Sequence, residues 1–347
     1  MVPSRMTAAV VVCAYTNDRW DEMSAALRTA ATQEPAPDEL LLVVDHNPDL
    51  WRRAMEELRP GLPVLEVVEN SRRKGLSGAR NTALLAVSSD VVVFLDDDAA
   101  AEPGWLGRLL AHYDDDAVLA VGGSAVPEWP PGQGRPVTLP CPPGATRGEL
   151  DWVVGCTYRG QPEAAAPVRN LMGCNMSFRR SVLARVGGFA ESLGRVGRTP
   201  LGCEETELCI RARNAYPGHS IVFEPRAVVH HSVSVDRLTW AYLRRRCFAE
   251  GLSKAAVAVL QGQEQALDTE RRYASRVIPS GLIRELTAAV RPAHSARSRH
   301  LQGAAALVLG LAVTTLGYLR GSVALRVGAG GGALVRESHD RLELRGT

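Results

Sequence analysis

Asp90-Val-Val-Val-Phe-Leu-Asp-Asp-Asp98 is the stretch on which the reading of this chain turns. Its unbroken apolar run predicts a strand covered on both faces, because a half-exposed strand would alternate. Three consecutive carboxylates close it. They repel one another, so the cluster costs stability unless a cation neutralises it or water solvates the whole turn. In an open α/β sheet, ligands bind beyond the carboxyl ends of the strands. Oxygen donors at that place suit a hard divalent ion, Mg²⁺ or Mn²⁺, and such ions commonly bring phosphate with them.

The flanking sequence has the alternation that such a sheet needs. Residues 8–13, 40–44, 64–68 and 118–122 predict further strands, and 20–32, 51–58, 77–87 and 105–113 have helical spacing between them. This order predicts an α/β fold with a doubly wound, mostly parallel sheet. Residues 127–167 are rich in Pro and Gly but contain Trp129, Trp152 and Tyr158, which predicts an ordered loop that packs or closes over a ligand. Patterned sequence returns over 168–235, and 238–260 predicts a basic amphipathic helix. The expected division is 1–235 followed by a helical C-terminal region, 236–347. Within the first part, a half at about 1–125 is joined through 127–167 to a second half at about 168–235.

A net charge of +2 gives no general attraction for nucleic acid. The seven cysteines form neither a zinc-like CxxC pair nor a disulfide framework, so free thiols in a reducing cytosol are expected. No charged-then-apolar leader precedes the first strand, which places the expected site of action on the cytoplasmic side. Residues 301–319 carry no charge and are flanked by Arg297, Arg299, His300 and Arg320. Their length is borderline for a membrane span. A helix at the inner face of the plasma membrane and a helical hairpin packed on protein both fit, and the basic flanks suit an anionic lipid surface.

Several polar groups fall at the same rim as the aspartates if the sheet is parallel. Asp45 follows the second strand, where it could accept from a base or ribose or simply form an Asx turn. Tyr15 and Asn17 follow the first strand. Lys74-Gly-Leu-Ser-Gly78-Ala-Arg80-Asn81 is a Gly-rich turn into a helix, a setting that favours phosphate. Gly173-Cys-Asn175 could let backbone approach a ligand. Glu204, Glu205 and Glu207 open a helix, where acids suit the dipole or where one could serve as a general base. His230-His231 could complete a metal site.

Taken in order, these residues resemble the GT-A fold glycosyltransferases of family 2, in the bacterial inverting, nucleotide-sugar-dependent type. That resemblance implies a doubly wound, Rossmann-like mixed sheet with helices on both faces, followed here by a helical C-terminal extension. The resemblance rests on Tyr15-Thr-Asn17, Asp45, Gly78-Ala-Arg80-Asn81, Asp96-Asp97-Asp98, Gly173-Cys-Asn175, Glu204-Glu205 and His230-His231. It implies sugar transfer from a nucleoside diphosphate sugar, UDP being the commonest nucleotide, to a glycan or lipid-linked acceptor in cell-envelope synthesis. Asp45 would hold base or ribose, with Tyr15, Asn17, Lys74, Gly78, Arg80 and Asn81 around the nucleotide. Asp96 would lie near ribose and phosphate or share the metal, Asp97 would be a spacer, and Asp98 would ligate Mn²⁺ or Mg²⁺ with His230 or His231. Asn175 and Glu204 would touch donor sugar or acceptor, and Glu205 would take the acceptor proton. The base position usually carries Asp, so Glu204 and Glu207 remain rivals to Glu205. A Gln-x-x-Arg-Trp box is absent, which implies single additions. A dinucleotide oxidoreductase is excluded because no GxGxxG follows a strand. A sugar-phosphate nucleotidyltransferase is disfavoured because Cys13-Ala-Tyr-Thr-Asn-Asp18 lacks glycine, and a degenerate scaffold because the acids are intact.

Overall fold

The first strand, β1 (Ala8–Ala14), is buried on both sides because alternate residues enter two different cores. Val10 and Val12 join Met23, Ala26 and Leu27 of α1 (Trp20–Ala31) on one face. Ala9 and Val11 join Ala79, Ala83 and Leu84 of α3 (Leu76–Ala86) on the other. The remaining strands of this half are β2 (Glu39–Val44), β3 (Leu65–Glu69) and β4 (Val91–Asp96), with α2 (Pro48–Arg53) running into a π turn before β3. The computed structural model describes residues 6–193, 202–290 and 294–327. The chain start, 1–5, and the tail of the C-terminal region, 328–347, lie outside it.

Among the described residues nine strands form one sheet in the order β3-β2-β1-β4-β8-β6-β9-β5, with β7 paired to β9. The further strands are β5 (Ala99–Ala101), β6 (Val118–Glu128), β7 (Ala166–Pro167), β8 (Asn175–Arg179) and β9 (Ser220–Ser232). The β3-β2-β1-β4 half is parallel, as the alternation implied. The other half makes the sheet mixed, as the GT-A resemblance implied and the strand–helix alternation alone did not: β8 runs antiparallel to both β4 and β6, while β6 and β9 run parallel. The cause is the connection over 129–174, which returns the chain to the sheet in the opposite direction. The fold is therefore a mixed, curled α/β sheet with helices on both faces.

The helices α4 (Trp105–Leu110), α5 (Arg180–Val186) and α6 (Glu204–Ala215) complete the two layers. The Pro/Gly-rich segment is ordered. Leu139, Leu150, Val153, Val154 and Cys156 are buried with Tyr242, Leu243 and Cys247 of α7 (Trp240–Gln261) and with Ala306 and Leu307 of the last helix. That region continues through α8 (Gln263–Arg272), α9 (Ile278–Ala289) and α10 (His294–Val327). All seven cysteines are free.

By length and composition α10 could cross a membrane over Arg297–Leu325, yet one of its faces is packed against protein. It crosses α7 at glycines: a Cβ at Gly251 would lie 2.1 Å from the Thr314 carbonyl oxygen, and one at Gly317 would lie 2.2 Å from that of Phe248. Backbones this close leave no room for lipid between the helices. The opposite face of α10 exposes Leu301, Val308, Leu316, Leu319 and Val323.

Candidate active site

The ends of β1, β2 and β4 open into a cavity of about 1010 Å³ lined by Tyr15, Asp45 and the Asp96–Asp98 triplet. Trp129 to Pro131 and Ser232 to Arg237 wall its far side. Asp45 is buried, and its two oxygens accept from Asn70 Nδ2 at 2.7 Å and Gly75 N at 3.0 Å. It therefore anchors the turn before α3 while also facing the cavity. Tyr15 stands half-exposed at the rim. Asn17 lines neither cavity described here, and its Oδ1 is buried without a hydrogen-bond partner.

The three aspartates diverge, as successive residues leaving a strand must. Asp96 meets Arg80 Nη2 at 3.3 Å. Asp97 is not an idle spacer: it is buried against Arg19 Nη1 at 2.9 Å, with its Oδ2 unpartnered. Burial, then the neighbouring Asp98 charge, push its carboxyl up to about 7. Asp98 is ringed by His231 Nε2 at 3.2 Å, Arg19 at 3.1 Å and Arg237 at 3.3 Å. Burial opposes its ionisation, but His231, Arg237 and Arg19 outweigh that and hold it well below the usual carboxylate range. His231 in turn is raised to about 10, because the Asp98 charge overcomes the cost of burial.

Asp96, Asp98 and His231 each offer one donor atom, and these atoms lie within 4.8 Å of one another. His231 is also buried beside the Cys156 thiol, and its Nδ1 has no other hydrogen-bond partner among the described residues. Two carboxylates and an imidazole make a donor set that suits Mn²⁺ or Mg²⁺. The pleat of β9 sends the two histidines to opposite sides. His231 points inward, whereas His230 points out to Glu102 at 2.9 Å and is removed from the group.

Arg80 links this cluster to the acids of α6. It is 1% exposed, lies over Phe94 and Phe189, and gives hydrogen bonds to Glu204 at 3.0 Å and the Gly173 carbonyl at 2.9 Å as well as to Asp96. Its place is thus between the two acidic groups, and it does not line the larger cavity. Behind it is a second cavity of about 400 Å³, which shares Leu76 and Asp96 with the first. Glu204, Glu205, Trp152, Tyr158, Arg246, Lys254 and part of α10 line it.

The three acids at the start of α6 have separate fates. Glu207 is held bidentately by Arg211, with Gln261 on the same oxygen, so it is occupied as a structural anchor. Glu204 is tied to Arg80, leaving Oε2 unpartnered. Glu205 faces the cavity, where burial and then the Glu204 charge raise its carboxyl to about 8.

Four of the expected ligand contacts are corrected. Asn175 has all its capacity used inside the protein: Nδ2 donates to the Ser124 and Ala227 carbonyls, and Oδ1 accepts from Trp105 Nε1, each at 2.9 Å. Asn81 is a clamp on the chain at Phe189, accepting from its N–H and donating to its carbonyl. Gly78 serves close packing, since a Cβ there would sit 1.9 Å from the Arg73 carbonyl oxygen. Lys74 is exposed and lines neither cavity. Arg19, Arg237 and Arg169 escaped the sequence reading. Arg237 follows His231 by six positions, and a search for cations just downstream of that histidine would have found it.

The sequence pattern of glycosyl transferase family 2 matches residues 9–187. Over 271 residues the chain is 32% identical to the glucosyl-dolichyl phosphate glucuronosyltransferase of Haloferax volcanii, covering 77% of this chain and 82% of that protein. It is 29% identical over 244 residues to the succinoglycan biosynthesis protein ExoM of Rhizobium meliloti, covering 69% and 71%. The mannosyltransferase PcManGT from Pyrobaculum calidifontis, solved with GDP-Man and Mn²⁺, superposes with a TM-score of 0.56 at 21% identity over 90% of this chain and 88% of that one, a likeness of fold. The mixed α/β sheet and the family match define the class of glycosyltransferases. The chain belongs to glycosyl transferase family 2 and is a glycosyltransferase.

Proposed function

We propose that this enzyme moves a single sugar from a nucleoside diphosphate sugar, with UDP preferred, to a hydroxyl of a lipid-linked envelope glycan at the cytoplasmic face of the membrane. The observation that carries this reading is the pair of cavities meeting at Asp96, the first holding Asp98 and the second Glu205, with His231 on the second cavity's wall and within reach of both aspartates. A leaving group on one side and a nucleophile on the other is the arrangement for in-line displacement, and that inverts the anomeric centre.

On this reading residues 1–125 hold the donor, 168–235 with the helices of 236–347 hold the acceptor, and 127–167 covers both. Asp45 and Tyr15 face the nucleoside. Asp96, Asp98 and His231 would hold Mn²⁺ or Mg²⁺, which when bound neutralises charge on the departing diphosphate. Arg237 and Arg245 line the same cavity and add positive charge around the phosphates. Glu205 takes the acceptor proton as the new bond forms, its raised basicity suiting it to an alcohol. Arg80 fixes Glu204 and Asp96, so that acid and base sides keep their spacing. The dolichyl phosphate-linked substrate in the name of the Haloferax relative supports the lipid-linked acceptor.

The test is a thermal-shift and turnover screen of UDP- and GDP-sugars with and without Mn²⁺. Donor binding raises the melting temperature by mass action. A metal-dependent rise that Asp98→Ala abolishes is expected. A rise that persists in Asp98→Ala would sink the metal assignment.

A further inference from the structure

The second cavity changes in character from one end to the other. Its inner end holds Glu205 and, along one side of α7, Arg246, Glu250 and Lys254. Glu250 pairs with Arg246 at 2.8 Å and with Lys254 at 3.5 Å. Glu270 pairs with Lys254 at 2.6 Å and with Arg169. Arg246, Lys254 and Arg169 thus interleave with Glu250 and Glu270 along this side of the cavity. Among the described residues, Arg246 Nε is buried with no hydrogen-bond partner. Its guanidinium lies 5.7 Å from the Trp152 ring, which keeps it extended along the wall.

The outer end is apolar. Leu311 and Thr315 of α10 line the cavity, and both are also exposed on the outside of the helix. Leu316, Leu319 and Val323 continue from there along the unpacked face of α10. An occupant would therefore meet this row of cations near Glu205 and leave over a hydrocarbon surface.

We propose that this cavity takes a phosphate carried on a long hydrocarbon chain, with the phosphate on Arg246, Lys254 and Arg169 and the chain leaving past Leu311 over α10. This deepens the acceptor reading above and rests on it. A phosphate accepts charge-assisted hydrogen bonds from such a row of cations, and Arg246 offers it the planar fork of a guanidinium. Seating the chain on α10 lays that helix along a bilayer surface, whereas its glycine-tight contact with α7 keeps it from spanning one. The opening for the lipid and the wall of the acceptor site are then the same helix.

Farnesyl phosphate, farnesol and inorganic phosphate are the probes, titrated by calorimetry into the full chain below the micelle concentration. Farnesyl phosphate is expected to bind at least tenfold tighter than either of the others. Arg246→Gln should reduce it to the affinity of farnesol, and Leu311→Asp should reduce it towards that of phosphate. Leu311 is a surface position, so it keeps the test open if Arg246→Gln fails to fold. Equal binding of farnesol and farnesyl phosphate overturns the proposal, as does unchanged affinity in a folded Arg246→Gln or Leu311→Asp protein. The same samples record the thermal shift with UDP or GDP and Mn²⁺. Loss of that shift in the wild type would defeat the glycosyl-donor reading, whereas its presence without farnesyl phosphate binding defeats this inference alone.

Discussion

Glu205→Gln separates the cost of a catalytic base from its use. The folded protein raises this carboxyl to about 8 from an ordinary value near 4.5, by burial and by the charge of Glu204. Between those values the folded state holds a proton that the unfolded state has lost, so stability falls as pH rises through the window and levels off above it. Linkage over that interval makes the wild type lose about 2.6 kcal/mol between pH 6 and pH 9 from this one group. Glutamine keeps the size and cannot ionise, so Glu205→Gln should lack that slope and be the more stable protein at pH 9. The activity should move the other way. With a base at about 8, the ionised fraction rises from roughly a tenth at pH 7 to roughly nine-tenths at pH 9, so wild-type kcat/KM should climb about tenfold. Glu205→Gln should be lower by about 10² to 10⁴ with a flat profile. Urea melts at pH 6 and 9 and a pH-rate series check both arms. If Glu205→Gln transfers sugar at the wild-type rate at pH 9, or its stability keeps the wild-type slope, the assignment of the base is wrong.

His231→Ala should remove the Mn²⁺-dependent thermal shift with a nucleoside diphosphate, while His230→Ala should keep it, because only His231 reaches Asp98. Arg80→Met should lower unfolding free energy by about 3–5 kcal/mol in denaturant melts, since it strands the buried Glu204 carboxylate. A loss under about 1 kcal/mol would show that Arg80 does not hold the two acids. Asn175→Ala leaves two carbonyls and the Trp105 N–H without partners, at about 1–3 kcal/mol each, so it should weaken folding without a specific effect on nucleotide affinity. A folded Asn175→Ala protein with a selective loss of nucleotide binding would restore it as a ligand contact.

The first half of the sheet was legible because its strands are buried on both faces, and continuous apolar runs such as 91–95 have few other readings. The strand β8 was not. Asn-Met-Ser-Phe-Arg alternates, but its inward polar residues are accommodated only by remote partners: Ser177 by the Val121 carbonyl and Tyr113, and Asn175 by β6 and β9. Those partners lie 50 or more positions away, beyond any local pattern. The same limit applied at the site. Asp96, Asp98, His231 and Glu205 stand at strand and helix ends that the sequence marks. Which polar residues face inward to hold the chain together depends on the tertiary contacts, so Asn81 and Asn175 looked like ligands. The second cavity draws on residues from Leu76 to Tyr318, and no local stretch announces it.

The glycine crossing of α7 and α10 has a practical bearing on how this enzyme can be handled. A long helix with an uncharged stretch of this kind invites removal to obtain a well-behaved preparation. Here the helix supplies Gly310, Leu311, Thr314, Thr315 and Tyr318 to the second cavity, so cutting it off would open that cavity to water and uncover Leu243 and Cys247. Solubility is better sought by polar replacements at Leu316, Leu319 and Val323, whose side chains face outward and leave the crossing intact.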